Sequence, residues 1–272
     1  MRSDLLHIRH VVLDLDGTIY RGSHLFDCTL PFLDRLRTLG IGYTFLTNNT
    51  SRSRADYVAK LLKFGIRVNE EQIYTAADSA LAYVRRQLPG VKRVAVLGTP
   101  SLCAQIAEEG FTVGWDQPQA VIVGFDTTLD YDRLCRAAFW IREGLPFIAT
   151  HPDLVCPTDA PTVLVDCGAI CACLSAATGR QPTVLGKPAP AILLSLCERL
   201  NLVAGNVAMV GDRLYTDMAM ARLAGVTSVL VLSGEATAEQ AQAMPQPPDL
   251  VVADIGVFGD LLDRAPSMEP FR

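Results

Sequence analysis

No apolar run in the sequence is long enough to cross a bilayer. The first hydrophobic segment, Val11 to Leu13, has only a strand's length and meets Asp14 and Asp16 at once, which suits neither a signal peptide nor a membrane span. A basic excess is also missing: 24 Lys and Arg stand against 29 Asp and Glu, a formal charge of −5, so a broad nucleic-acid-binding surface is excluded. Metal-cluster spacing is missing too. Cys167, Cys171 and Cys173 form C-x3-C-x-C, with no fourth ligand at zinc-type spacing nearby. The eight cysteines read as thiols and small core residues, because a chain of this size can bury enough surface without staples. The expectation is a cytoplasmic protein with neither a membrane nor a nucleic-acid partner.

What is present is a long alternation of strand and helix signals. Half of the 272 residues are hydrophobic and the mean hydropathy is +0.25, a globular composition too long for one ordinary domain. The spacing predicts a helix over 31–39 closed by Gly40, a strand over 41–46, a helix over 54–64, a strand over 73–75 and a helix over 77–88. From Val91 the alternation starts afresh, with strands over 93–97, 120–124 and 146–150 separated by helices over 100–109 and 131–143. Helices over 170–178, 191–200 and 218–224 follow, with strands over 207–210, 228–232 and 250–252. The fold class implied is α/β, a doubly wound parallel sheet with a second α/β unit inserted. The division expected is a core over 1–89 and 182–272 and an inserted cap over 90–181.

Polar groups gather where strands end. Asp14 and Asp16 follow the first strand, and acids two apart serve one site only if the chain turns there, as Gly17 permits. Thr47 and Asn48 close the second strand before a helix, where free backbone N–H groups and hydroxyls can hold an anion or simply cap the helix. Lys187 stands in the stiff run Gly186-Lys187-Pro188-Ala189-Pro190, and Asp212 and Asp217 follow the strand over 207–210. Each feature alone reads as an ordinary solvated turn or cap. In an open α/β sheet, however, strand ends can converge on one crevice.

In order and type, DLDGT (14–18), FLTNN ending in Thr47 and its neighbours, GKPAP around Lys187 and GDRLYTD (211–217) resemble the four motifs of the haloacid dehalogenase superfamily. More narrowly, TNN, LGKPAP and GDRLYTD look like its NagD-like, para-nitrophenyl phosphatase-like branch, whose α/β cap lies between the second and third motifs. VIVGFD, FIATHPD, the Gly168-Ala169 turn and the Thr178-Gly179 helix end extend the likeness over nearly the whole chain. Such a resemblance implies a phosphatase of small phosphorylated metabolites, and it allows a homodimer through the cap.

The groups themselves suit that chemistry. Asp14 would be the nucleophile, forming an aspartyl-phosphate, and Asp16 the general acid and base. A carboxylate and a phosphate dianion repel each other, so a hard divalent cation is required between them. Mg²⁺ held by the Asp14 side chain, the Asp16 carbonyl and Asp212 fits, with Asp217 orienting a water behind it. Thr47, Asn48 and Lys187 would bind the phosphoryl group. In the cap, His151 of His151-Pro152-Asp153 is the candidate substrate contact; many relatives have Asn there. Two other readings stay open: a phosphotransferase or mutase on the same motifs, and a catalytically silent metabolite-binding protein.

Overall fold

The computed structural model describes residues 5–156 and 162–263; the loose tail expected at the carboxyl end lies outside them. Along the chain the strands are β1 (His10–Leu13), β2 (Tyr20–Arg21), β3 (His24–Leu25), β4 (Gly42–Thr47), β5 (Ile73–Thr75), β6 (Arg93–Leu97), β7 (Thr112–Val113), β8 (Ala120–Val123), β9 (Phe147–Ala149), β10 (Val155–Cys156), β11 (Leu164–Val165), β12 (Thr183–Val184), β13 (Val207–Gly211), β14 (Thr227–Val231) and β15 (Leu250–Val252). One sheet has the order β15-β14-β13-β1-β4-β5 and a second the order β12-β9-β8-β6-β7. Every pairing that β1, β13 and β14 make in the first sheet is parallel, and so are the pairings of the second. The class is α/β and doubly wound, as expected. In the first sheet the order runs outward in both directions from β1, so the end of β1 is a topological switch point.

Contacts divide the chain into two compact units: Met1–Leu46 with Leu61–Ile73 and Leu196–Arg272, and Thr47–Lys60 with Tyr74–Ser195. The second unit extends past the expected 90–181 on both sides. Its sheet is the reason. Val94 and Val96 point to one face of β6, where Ala77, Ala80, Leu81 and Val84 of the helix Ala76–Gln87 cover them. Ala95 and Leu97 point to the other face, against Ala137 and Ile141 of the helix Tyr131–Arg142 and Ile170 and Leu174 of the helix Cys167–Thr178. A strand buried on both faces needs a helix on each, and one of those helices precedes residue 90.

In the first unit β1 is buried throughout, and Phe32, Leu33 and Leu36 bury one stripe of the helix Thr29–Thr38. Phe32 meets Phe258 with ring centroids 6.1 Å apart. Phe258 lies on the helix Ile255–Asp263, for which the sequence pattern gave no expectation. Val184, read from the sequence as the resumption of the core, is instead the end of β12, the edge strand of the second sheet. Two residues are too short a run to reveal which sheet they join.

Candidate active site

The first unit builds a carboxylate cluster from two strand ends. Asp14 leaves β1 with its N–H donating to the Val210 carbonyl at 2.9 Å. The chain then turns: Gly17 takes a φ of +86° and its N–H donates to the Tyr20 carbonyl at 2.8 Å. That left-handed turn leaves Asp16 exposed. Asp212 leaves β13 and is buried. Its Oδ2 accepts the Glu235 N–H at 2.8 Å, and a Cβ at Gly17 or Gly234 would lie 2.3 or 1.9 Å from that oxygen. Only backbone without side chains can press so closely on the carboxylate. Asp217 sits on a widened π-type turn, Leu214–Met218, fully buried, and accepts the Arg213 N–H at 3.2 Å.

Asp14, Asp212 and Asp217 thereby offer carboxylate oxygens that all lie within 4.8 Å of one another. Three such anions repel, and a set of hard oxygens is the donor chemistry of Mg²⁺. The residues present fit that ion. Arg213 lies beside them; burial disfavours its charge, but Tyr215, Asp14, Asp212 and Glu235 outweigh burial and hold its pKa above the usual value. Its Nε is 3.0 Å from the Glu235 carboxylate.

The second unit gathers the other candidates. Thr47 ends β4, and its hydroxyl accepts the Asn49 N–H at 3.2 Å. The Asn48 amide clasps the Lys187 backbone, Oδ1 accepting the Lys187 N–H at 2.8 Å and Nδ2 donating to the Lys187 carbonyl at 3.0 Å. Nδ2 also donates to Asp153 Oδ2 at 3.1 Å. Lys187 is buried. Packing before it is tight, since a Cβ at Gly186 would fall 2.5 Å from the Thr150 carbonyl and 2.7 Å from the His151 Cβ.

His151, expected in a loop facing substrate, has a fully buried side chain. Its Nδ1 lies 3.3 Å from Asp153 Oδ2 and its Nε2 3.5 Å from Asp166 Oδ1. Asp166 caps the helix Cys167–Thr178 by accepting the Cys167 N–H at 2.6 Å. Burial works against a charged His151, but Cys167, Asp153 and Asp166 outweigh it and raise the pKa to about 9. Asp153 is lowered although burial opposes this, through its bonds and charge contacts with His151, Asn48 and Lys187; Asp166 is raised by burial. Cys167 and Cys171 are buried and Cys173 is exposed, and the Cys167 thiol donates to the Val123 carbonyl at 3.2 Å.

Two family models match the chain, "Haloacid dehalogenase-like hydrolase" over residues 11–112 and a HAD-hydrolase-like model over 184–257. The chain belongs to the haloacid dehalogenase-like hydrolases. The first match carries Asp14, Asp16, Thr47 and Asn48, and the second Lys187, Asp212 and Asp217. An acid sugar phosphatase of Staphylococcus aureus is 33% identical over 245 residues, 90% of this chain and 94% of the relative. Among solved structures, a 4-nitrophenylphosphatase of Thermotoga maritima is 36% identical with a TM-score of 0.89, covering 95% of this chain and 99% of that one. A glycerol phosphate phosphatase of Mycobacterium tuberculosis in complex with magnesium is 32% identical with a TM-score of 0.84, covering 96% and 78%. Within its family the chain stands with the para-nitrophenyl phosphatase-like, NagD-like branch. It is a phosphatase of the HAD type.

Asp153, Asp166, Arg213 and Glu235 are polar members of these clusters that sequence reasoning did not single out. Asp153 and Asp166 carried a signal, one past a strand end and one opening a helix. Nothing in their spacing pairs them with His151.

Proposed function

We infer that this phosphatase is Mg²⁺-dependent and hydrolyses small phosphorylated metabolites, sugar and polyol phosphates among them, through an aspartyl-phosphate on Asp14. The observation that carries the reading is the cluster of Asp14, Asp212 and Asp217 at the ends of β1 and β13. Asp14 and Asp212 would hold the ion with the Asp16 carbonyl, and the bound ion supplies the charge that lets an anionic nucleophile meet an anionic ester. Asp14 attacks phosphorus in line and the ester oxygen leaves. Asp16, exposed on the Gly17 turn, protonates that oxygen and then takes a proton from the water that cleaves the acyl phosphate. Thr47, the Asn48 backbone N–H and Lys187 would bind the phosphoryl oxygens, where a buried ammonium is worth more than an exposed one. Asp217, fixed by the Arg213 N–H, would orient a water bound at the carboxylate cluster. The segment 90–181 acts as the cap that limits substrate size and excludes bulk water.

The relatives support this substrate class, since one is an acid sugar phosphatase and another a glycerol phosphate phosphatase. The test is para-nitrophenyl phosphate turnover with Mg²⁺, with a chelator, and in Asp14→Asn. Chelation should lower kcat at least about 100-fold with recovery on adding Mg²⁺, and Asp14→Asn should lower it about 1000-fold or more. An active Asp14→Asn variant sinks the nucleophile assignment.

A further inference from the structure

We propose that His151 is a positioning residue: clamped as an imidazolium between Asp153 and Asp166, it fixes the Asp153 carboxylate that receives the Asn48 amide, and through Asn48 it sets the place of the Lys187 loop. The proposal rests on the phosphatase reading for the role of Lys187, but the clamp stands on its own geometry.

An imidazole with one carboxylate oxygen 3.3 Å from Nδ1 and another 3.5 Å from Nε2 has an anion at each nitrogen. A neutral ring carries one N–H and would turn a lone pair toward one of them. The doubly protonated ring sets a positive charge between the two anions, held by charge contact and not by aligned hydrogen bonds at either nitrogen, and full burial removes the water that could otherwise screen that attraction. The groups facing the ring are Asp153 from its own loop, and Asp166 and Cys167 from the start of the helix Cys167–Thr178. The two ends are jammed together. Gly168 donates to the Asp153 carbonyl at 2.8 Å, and a Cβ there would lie 2.1 Å from the Pro152 carbonyl oxygen.

The other end of the chain of contacts is equally fixed. Asp153 Oδ2 faces both His151 Nδ1 and Asn48 Nδ2, and the remaining Asn48 bonds close a ring with the Lys187 N–H and carbonyl. Asp153 also feels the Lys187 charge. With the imidazolium in place, its carboxylate is shared among three partners. Without it the carboxylate is left to Asn48 and Lys187, and the ammonium is drawn toward Asp153 instead of a phosphoryl oxygen. A misplaced Lys187 weakens the hold on phosphate in ground and transition states alike, which reads as a change in KM.

The test compares wild type, His151→Asn and Asp166→Asn. Imidazole-nitrogen NMR gives the proton count of His151, identified among the four histidines by its loss in His151→Asn. The Asn48 side-chain and Lys187 backbone amide signals report the linkage, and para-nitrophenyl phosphate gives kcat and KM. Expected are two N–H protons on His151 at neutral pH, displaced Asn48 and Lys187 amide signals in His151→Asn, and a KM raised about tenfold with kcat within about threefold. Asp166→Asn keeps the helix cap and should shift the same amide signals and KM in the same direction, by less, so it serves if His151→Asn fails to fold. A singly protonated His151 at neutral pH, or amide signals unmoved in the folded variants, overturns the proposal. An inactive wild type overturns the phosphatase reading instead, and the NMR measurements still decide the clamp.

Discussion

His10 and His151 are both buried and take opposite protonation states. For His10, burial first and the Arg199 charge second lower the pKa from 6.5 to about 4, and Nε2 is 2.9 Å from the Thr44 hydroxyl. The unfolded chain therefore binds a proton near pH 6.5 that the folded chain refuses until about pH 4. Stability from His10 is present above pH 6.5 and is lost as pH falls toward 4, by about 3 kcal/mol. His151 has the reverse sign, with stability present below 6.5 and lost as pH rises through about 9. Urea titrations from pH 4 to 8 should show an acid limb that flattens in His10→Gln, whose amide can still meet Thr44; an unchanged limb contradicts the assignment. Asp14, Asp16, Thr47, Lys187 and Asp212 could be singled out in the sequence because each follows a strand signal within three residues. The pairing of His151 with Asp166, 15 positions apart, could not, because only the fold decides which buried polar groups face each other.

Elements were legible where their pattern is long. The apolar runs of β1, β6 and β8 mark strands covered on both faces, the helix Thr29–Thr38 commits its stripe to one face, and the structure follows them closely. The helix Ile255–Asp263 was missed: its stripe of Ile255, Phe258 and Leu262 is three residues long and gains meaning only against Phe32. The helix Cys167–Thr178 starts earlier than its apolar pattern suggested, because the Asp166 side chain caps it. That start is sensitive to volume. Gly168→Ala puts a methyl group into the Pro152 carbonyl, so the helix end and the loop must part, at a cost of about 2 kcal/mol. Urea unfolding should show a lower midpoint with an unchanged slope; an unchanged midpoint would mean that the contact yields freely.

At the scale of the molecule, two sheets share one chain and two kinds of chemistry. The first unit holds a cluster of three carboxylates, and the second a lysine loop tied by Asn48 to Asp153, which faces a buried imidazole. The coarse plan of an α/β core carrying an α/β insertion could be read from the alternation alone. The boundary of the compact units could not, because the helix Ala76–Gln87 belongs by sequence to the core alternation yet buries its stripe on the second sheet. Among the described residues no helix is long and apolar enough to cross a membrane. The central claim, that Asp14 takes the phosphoryl group, has a direct measurement. Enzyme turning over a radiolabelled phosphate ester is quenched in acid and digested, and the labelled peptide is mapped. Hydroxylamine-labile label on the peptide carrying Asp14, absent from Asp14→Asn, is the predicted result; an active enzyme with label on another residue, or label that survives in Asp14→Asn, would contradict the account.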